Sequence, residues 1–424
     1  MRIALISEHA SPAALLGGED AGGQNVYVDE ISRCLGRFGF EVDIFTRRDN
    51  VDAPHVDDWA PGVRIINLPA GPAQFVRKDD LWPLMPSFRD ELIRFAIRDG
   101  VRYELVHGNF WMSGWVTTEL RRIFRIPAVQ LFHALGATKR RQQGAADTSP
   151  QDRIAVERAI VRSVDRVIAT CPSERQELIE DYDAPPSCLE TIPHGVDADV
   201  FRPVDHREAR HRIDCGLSED DLVLVYVGRL LPRKDVRSVV RALALLGASD
   251  NGLPPVKLLV VGGESRLPDP AITPEIGEVR QLAEELGVAD RVLLTGKRDR
   301  EELCDYYCAG DVMVTTPWYE PFGLTPLEAM ACGRPVVGSN VGGISYTVCH
   351  GETGLLVPSR SPEALAAGLH ALLSSPVRRK RMGAAGRRRV EREFTWRTVA
   401  EKTATLYEAV RWGEILPAAK VATS

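Results

Sequence analysis

The sequence predicts an α/β protein built as two doubly wound parallel sheets. Short apolar segments of strand length alternate with amphipathic helical stretches, the pattern of parallel sheets covered by helices. The alternation is laid down twice, and Ile192-Pro193-His194-Gly195-Val196-Asp197 breaks the periodicity between the two sets. A chain of 424 residues with 44% hydrophobic content can fill two cores.

In chain order, the first set of strand-like runs is Arg2–Ser7, Glu41–Thr46, Val63–Leu68, Glu104–His107, Ala128–His133, Arg166–Thr170 and Leu189–Ile192. The second set is Leu222–Val227, Val256–Val261, Arg291–Thr295, Asp311–Thr315 and Pro335–Gly338. A first domain of residues 1–197 and a second of 198–396 follow, with Pro193–Asp197 as a hinge and no helix expected until about His206. After Ser361 the chain is helical and arginine-rich (VRRKRMGAAGRRRVEREF). Glu391 and Glu393 interrupt that positive run, so it reads as a solvated helical face and not as a membrane-binding one.

Composition removes several classes of function. A net charge of −6 without a basic stripe leaves no footprint for nucleic acid. The opening segment MRIALISEH is too short for a signal region, and no run of about 18 apolar residues occurs, so stable membrane insertion is not expected and a cytoplasmic location is. The eight cysteines include no C-x-x-C; only Cys304 and Cys308 share a helical face, so reduced structural thiols and no metal site are expected.

The most informative stretch is residues 315–330, TTPWYEPFGLTPLEAM. Val312-Met313-Val314 reads as a buried strand, Trp318–Gly323 as the loop at its carboxyl end, and Leu324–Cys332 as the next helix. Ligands of open α/β sheets bind at that edge. Gly323 lets backbone approach a ligand, and the N–H groups opening the helix attract phosphate or sugar hydroxyls. Carboxylates near a diphosphate are repelled, so Glu320 and Glu328 belong opposite hydroxyls.

Three further segments carry chemistry. Gly17–Val26 is a glycine-rich loop running into a helix; Asp20 is placed to cap it, and Gly22 and Gly23 to bring N–H groups to a diphosphate. Arg229 and Lys234, in GRLLPRKD after the first strand of the second set, are placed to neutralise charge on a departing diphosphate. Lys78, Lys139, Arg140, Thr148 and Arg153 gather basic and hydroxyl groups in the first domain, as a phosphorylated ligand requires.

Glu320 to Glu328 matches the E-x7-E signature of the retaining family 4 glycosyltransferases, which the chain resembles over nearly its whole length. The segment DAGGQNVYV resembles the DAGG-x-NVYV of D-inositol-3-phosphate glycosyltransferases and the GGQ loop of sucrose-phosphate synthases. The resemblance implies the GT-B fold: two Rossmann-like domains facing a cleft, with a terminal helix of about 397–424 crossing back to the first. It implies transfer of a glycosyl group from a nucleotide sugar, UDP-linked as the first guess with GDP and ADP open, to a small hydroxylated acceptor that carries phosphate in the related enzymes.

Residue by residue, it implies that His133 contacts the donor sugar and that Arg229, Lys234 and Glu320 complete the catalytic set. Gly23, Gly263, Lys297, Phe322, Gly323, Leu324, Thr325 and Glu328 bind the donor. Gln24, Asn25, Lys78, Lys139, Thr148 and Arg153 face the acceptor. Phe110 departs from the pattern, standing where a tyrosine is expected and removing a hydroxyl directed at phosphate. No residue emerges as an inverting base or covalent nucleophile, as a front-face retaining mechanism requires. No metal or cofactor is implied beyond the nucleotide-sugar co-substrate, and exposed helices leave a homodimer open. The rival readings are a tailoring transferase for unphosphorylated acceptors, a sugar-nucleotide epimerase and a non-catalytic nucleotide-sugar-binding subunit; the E-x7-E frame with Arg229, Lys234 and His133 disfavours the last two.

Overall fold

The computed structural model describes residues 1–14, 22–248 and 252–413. Residues 17–21 of the glycine-rich loop, Asp20 among them, lie outside the described residues, as does the segment after Gly413. By internal packing the chain divides into one unit of Met1–His194 with the segment from Trp396 onward, and a second of Gly195–Thr395.

The first unit holds eight strands: β1 Arg2–Ile6, β2 Glu41–Arg47, β3 Val56–Ala60, β4 Val63–Leu68, β5 Leu105–Asn109, β6 Ala128–Leu131, β7 Arg166–Ala169 and β8 Leu189–Thr191. Their order is β3-β4-β2-β1-β5-β6-β7-β8, parallel throughout except for β3, which pairs antiparallel with β4. Strands such as β1 and β6 are buried without alternation because helices cover both faces of the sheet. One face packs under the helices Met85–Arg98 and Trp111–Phe124; the other under Gly23–Arg37 and Trp396–Trp412. Tyr27, Val28, Ile31 and Leu35 form the buried stripe of Gly23–Arg37 at helical spacing. The last helix is fixed by Trp396, Val399, Leu406 and Tyr407 in that core, by a 2.5 Å hydrogen bond between Tyr407 Oη and His107 Nδ1, and by an Arg411–Glu104 ion pair.

The second unit holds β9 Leu222–Val227, β10 Val256–Val261, β11 Val292–Gly296, β12 Val312–Thr315, β13 Val336–Ser339 and β14 Gly354–Val357, all parallel, in the order β11-β10-β9-β12-β13-β14. The arginine-rich helix Pro376–Glu393 is more than a solvated face. Arg387 and Arg389 pair with Glu391 and Glu393, and Arg387 also donates to the carbonyls of Ala198, Phe201 and Ala331.

Glu174, in the first turn of the helix Pro172–Tyr182, is a buried carboxyl whose Oε2 accepts from Thr170 N (2.6 Å) and Oγ1 (2.5 Å). Burial raises its pKa to about 7 despite those bonds. The stability it contributes is therefore complete below the unfolded carboxyl value and is lost as pH rises through about 7. Glu174→Gln is expected to raise stability at pH 8 by on the order of 2–3 kcal/mol and to change little at pH 5, which melts at the two pH values check.

Candidate active site

In each sheet the strand order reverses once, between β1 and β5 in the first and between β9 and β12 in the second, and such switch points open a crevice at the carboxyl ends of the strands. The expected site residues cluster at these two edges, described here unit by unit.

In the first unit β6 ends before His133, two residues short of the sequence expectation, because His133 takes a left-handed φ of 60° that cannot continue a strand. A non-glycine residue there is held by its surroundings. Its Nε2–H donates to Asn109 Oδ1 (3.0 Å), its ring meets those of Tyr27 and His194 edge-on at 5.2 and 5.4 Å, and its buried Nδ1 has no partner among the described residues. Burial first, then the imidazoles of His194, His107 and His9, hold its pKa well below the ordinary histidine range. His133 is thus a neutral ring with one nitrogen available to accept a hydroxyl.

Gln24 Nε2 donates to Ser7 Oγ (3.2 Å) and the Asn109 carbonyl (3.3 Å), tying the start of its helix to the ends of β1 and β5. Gly23 is the first residue of that helix. Asn25 is buried, accepts from Gly22 N–H and donates to the Ser11 carbonyl, both at 2.9 Å, so its side chain organises the loop end.

Two of the acceptor-side residues, Lys78 and Arg153, meet at Phe110. The Arg153 guanidinium lies 4.9 Å from its ring centroid and Lys78 Nζ 6.0 Å. Arg153 is only 2% exposed and is held by Glu157 (2.8 Å), Ser149 Oγ (3.3 Å) and the Ala134 carbonyl (2.6 Å). Lys139 pairs with Asp147 (3.1 Å) and donates to Ser149 Oγ (2.8 Å); Thr148 Oγ1 donates to Asp79 (2.5 Å). The structure therefore joins Lys78 to Arg153 through Phe110 and Lys139 to Arg153 through Ser149, while Thr148 reaches Asp79, the residue after Lys78; Arg153 and Lys139 are already counterbalanced by carboxylates.

In the second unit, the loops after β9 and β12 are fastened to each other. Thr316 Oγ1 donates to the Asp235 carbonyl (2.9 Å) and Trp318 N–H to the Arg233 carbonyl (2.9 Å). This brings Lys234, at the end of the 3-10 turn Pro232–Lys234, into a direct ion pair with Glu320. Burial raises the Glu320 carboxyl, but Lys234 and Arg233 outweigh it and hold the pKa below the ordinary value; burial lowers that of Lys234. Arg229, more exposed, stands 4.0 Å from Glu264.

Gly323, at φ 84°, ends the loop and the helix Leu324–Ala331 begins, so the backbone N–H groups of its first turn lack helical partners. Phe322 is buried and Leu324 and Thr325 partly so. Glu328 is buried on that helix and accepts from Tyr307 Oη (2.7 Å); burial raises its pKa. Gly263 follows β10, its neighbour Glu264 donates N–H to Thr273 Oγ1 (3.0 Å), and Lys297 follows β11, its N–H donating to the Ser265 carbonyl (2.8 Å).

Four features escaped sequence reasoning. Tyr307 reads as an ordinary core aromatic, and nothing local marks it as the partner of Glu328. Asn109 is unremarkable until β5 places it beside His133. Glu8, fully buried after β1, bonds His9 Nδ1 (2.8 Å) and Ser113 Oγ. Gly342 and Gly343 lie against the backbone of Glu320 and Phe322; here a signal existed, a glycine pair at the carboxyl end of β13.

Comparison with known proteins agrees along nearly the whole chain. The profile described as Glycosyltransferase Family 4 matches residues 21–200, and that described as Glycosyl transferases group 1 matches residues 208–389. The D-inositol 3-phosphate glycosyltransferase of Kineococcus radiotolerans is 37% identical over 420 residues, spanning 96% of this chain and 94% of that one. That of Corynebacterium glutamicum is 34% identical over 409 residues, 96% of each chain. Among solved structures, the sucrose-phosphate synthase of Thermosynechococcus elongatus superposes with a TM-score of 0.86 at 36% identity, covering 97% of this chain and 100% of that one. With both Rossmann-like sheets matched in order, the protein belongs to the family 4 glycosyltransferases of GT-B fold and is an enzyme that transfers glycosyl groups.

Proposed function

We propose that the protein moves a hexosyl group from a UDP-sugar, with retention, to a small hydroxylated acceptor carrying phosphate, of the inositol phosphate or sugar phosphate class. The observation that carries this reading is the meeting of Lys78 and Arg153 at the Phe110 ring, with Lys139 tied to Arg153 through Ser149 and Thr148 tied to Asp79, the residue after Lys78. Convergent cations and hydroxyls suit a phosphate dianion. The names of the relatives, an inositol 3-phosphate glycosyltransferase and a sucrose-phosphate synthase, point to the same class.

In this reading the second unit grips the donor. Arg229, Lys234 and the N–H groups opening the helix Leu324–Ala331 face the diphosphate; Glu320 accepts from sugar hydroxyls and Glu328 from those of ribose. Gly263 and Lys297 flank the base. Positive charge for the leaving diphosphate comes from side chains, so turnover needs no added metal. The first unit contributes Gln24, whose anchored amide borders the β1 and β5 ends, and His133. A neutral His133 cannot repel a developing oxocarbenium charge, and its Nδ1 accepts a sugar hydroxyl. The acceptor hydroxyl oxygen bonds the anomeric carbon on the same face from which the diphosphate departs, its proton passing to the departing phosphate oxygen as the sugar–phosphate bond breaks, and attack on that face leaves the anomeric configuration unchanged. Among the described residues no helix is long and apolar enough to cross a membrane, and we place the enzyme in the cytoplasm.

The pairing of Arg153 with Glu157 and of Lys139 with Asp147 favours one rival, a tailoring transferase whose acceptor lacks phosphate and whose donor carries GDP or ADP. Turnover with matched acceptors separates the two. Lys78→Ala is expected to raise KM for phosphorylated acceptors by about tenfold, roughly 1.4 kcal/mol, and to leave KM for UDP-sugar unchanged. Equal turnover of phosphorylated and unphosphorylated polyols, indifferent to Lys78, would show that these cations serve the scaffold only.

A further inference from the structure

Three of the eight cysteines meet inside the second unit. Cys304 and Cys308 stand one turn apart on the helix Leu303–Ala309, and Cys332 immediately follows the helix Leu324–Ala331. Their Sγ atoms all lie within 4.8 Å of one another, and Cys304 and Cys332 are 3.9 Å apart. All are buried: Cys308 at 0% exposure, Cys332 at 1% and Cys304 at 8%. Cys304 and Cys308 both direct S–H toward the Arg202 carbonyl (3.3 and 3.4 Å), while Val204 N–H donates to Cys308 Sγ (3.4 Å).

We propose that Cys304, Cys308 and Cys332 form a three-coordinate thiolate site for a soft monovalent cation, copper(I). The donor set decides the ion. Among the described residues the group contains no histidine or carboxylate, and thiolate-only sets select soft cations over magnesium, calcium or manganese. Structural zinc takes four ligands; here sulfur supplies three. An ion about 2.3 Å from each of three sulfurs in a plane sets them about 4.0 Å apart. The Cys304–Cys332 edge already has that length, and the others need shorten by no more than about 0.8 Å from the 4.8 Å limit.

Each ligating thiol releases its proton to solvent as its sulfur bonds the ion, so uptake is accompanied by acidification of an unbuffered solution. The Val204 N–H stabilises the Cys308 thiolate so formed. Of the three, Cys332 is the one that lines a cavity, of about 560 Å³, with Pro203, Arg334 and Arg379, and in this proposal the ion enters from that side. The cationic walls of that cavity favour copper delivered as an anionic complex. Once bound, the ion ties the helix Leu303–Ala309 to the end of Leu324–Ala331, the two helices already joined by Tyr307 and Glu328.

The test is an anaerobic titration of the reduced, full-length protein with copper(I) held by bicinchoninate. One copper per chain should leave the chelator, with sulfur-to-copper charge-transfer absorbance in the ultraviolet and a higher melting temperature. Cys304→Ser and Cys332→Ser should each lose that equivalent, and Cys349→Ser should keep it. Because a serine in the core can impair folding, the unmutated protein is also mapped: copper should protect Cys304, Cys308 and Cys332, and not Cys349, from alkylation in mild denaturant. Retention of all copper by bicinchoninate, a titration unaffected in the serine variants, or protection that does not single out these three thiols overturns the site. X-ray absorption showing four light-atom ligands in place of three sulfurs overturns the geometry.

Discussion

Lys234→Met is expected to lower kcat/KM for the nucleotide sugar by 10²–10³-fold, about 2.7–4 kcal/mol of barrier, the usual loss when a preorganised electrostatic stabiliser is removed. The same change should shift the pH profile. In the native protein Lys234 and Arg233 hold Glu320 ionised against the effect of burial. The pair's stability is present above the ordinary carboxyl value of 4.5 and is lost only as pH falls through the depressed folded value. Without Lys234 burial dominates, the Glu320 pKa rises, and the acid limb of activity moves toward neutrality. Stability should fall by roughly 1–3 kcal/mol, less than for a fully buried pair because the Lys234 side chain is 21% exposed. Lys234→Met with Glu320→Gln should recover much of that stability and none of the activity. A Lys234→Met enzyme within fivefold of the parent in kcat/KM would remove Lys234 from the chemistry.

That pair shows what the sequence could and could not disclose. Lys234 and Glu320 were each legible as residues at the carboxyl end of a strand, since β9 and β12 are buried on both faces and so read as unbroken apolar runs. Their contact was not legible. It spans 86 positions and exists because β9 lies next to β12 in the sheet, an order that no local pattern encodes. Cys332 joins Cys304 and Cys308 because the helices before and after β12 pack side by side, which no local pattern encodes either. Edge strands failed differently: β3, Val-Asp-Asp-Trp-Ala, is polar because it has one neighbour and an exposed side, and β14, Gly-Leu-Leu-Val, is a short run behind a turn. Asn25 was legible as a polar residue in a functional loop, whereas its use as an internal brace depends on the position of the Ser11 carbonyl.

Gly342→Ala should be nearly as damaging as losing Lys234, though Gly342 supplies no side chain to any ligand. Gly342 has a φ of 46°, and a Cβ there would stand 2.0 Å from the carbonyl oxygen of Glu320, which is backbone and cannot swing aside. The adjacent Gly343 N–H donates to that same oxygen at 3.0 Å, so the carbonyl must move and its hydrogen bond with it. Relief requires a shift of about 1 Å in the loop that positions Glu320, and misplacement on that scale costs about 10²-fold in rate. Overpacking and left-handed strain add a destabilisation of about 2–4 kcal/mol. Gly351→Ala separates strain from displacement: its φ is 82°, yet nothing lies within 4 Å of the added Cβ. It should lose about 1–2 kcal/mol of stability and retain full turnover. Denaturant melts and donor kinetics on the two variants decide the matter. If Gly342→Ala turns over donor as Gly351→Ala does, the position of Glu320 is set elsewhere; if its kcat/KM falls while saturating nucleotide still raises its melting temperature, the loop's placement is what the glycine pair preserves.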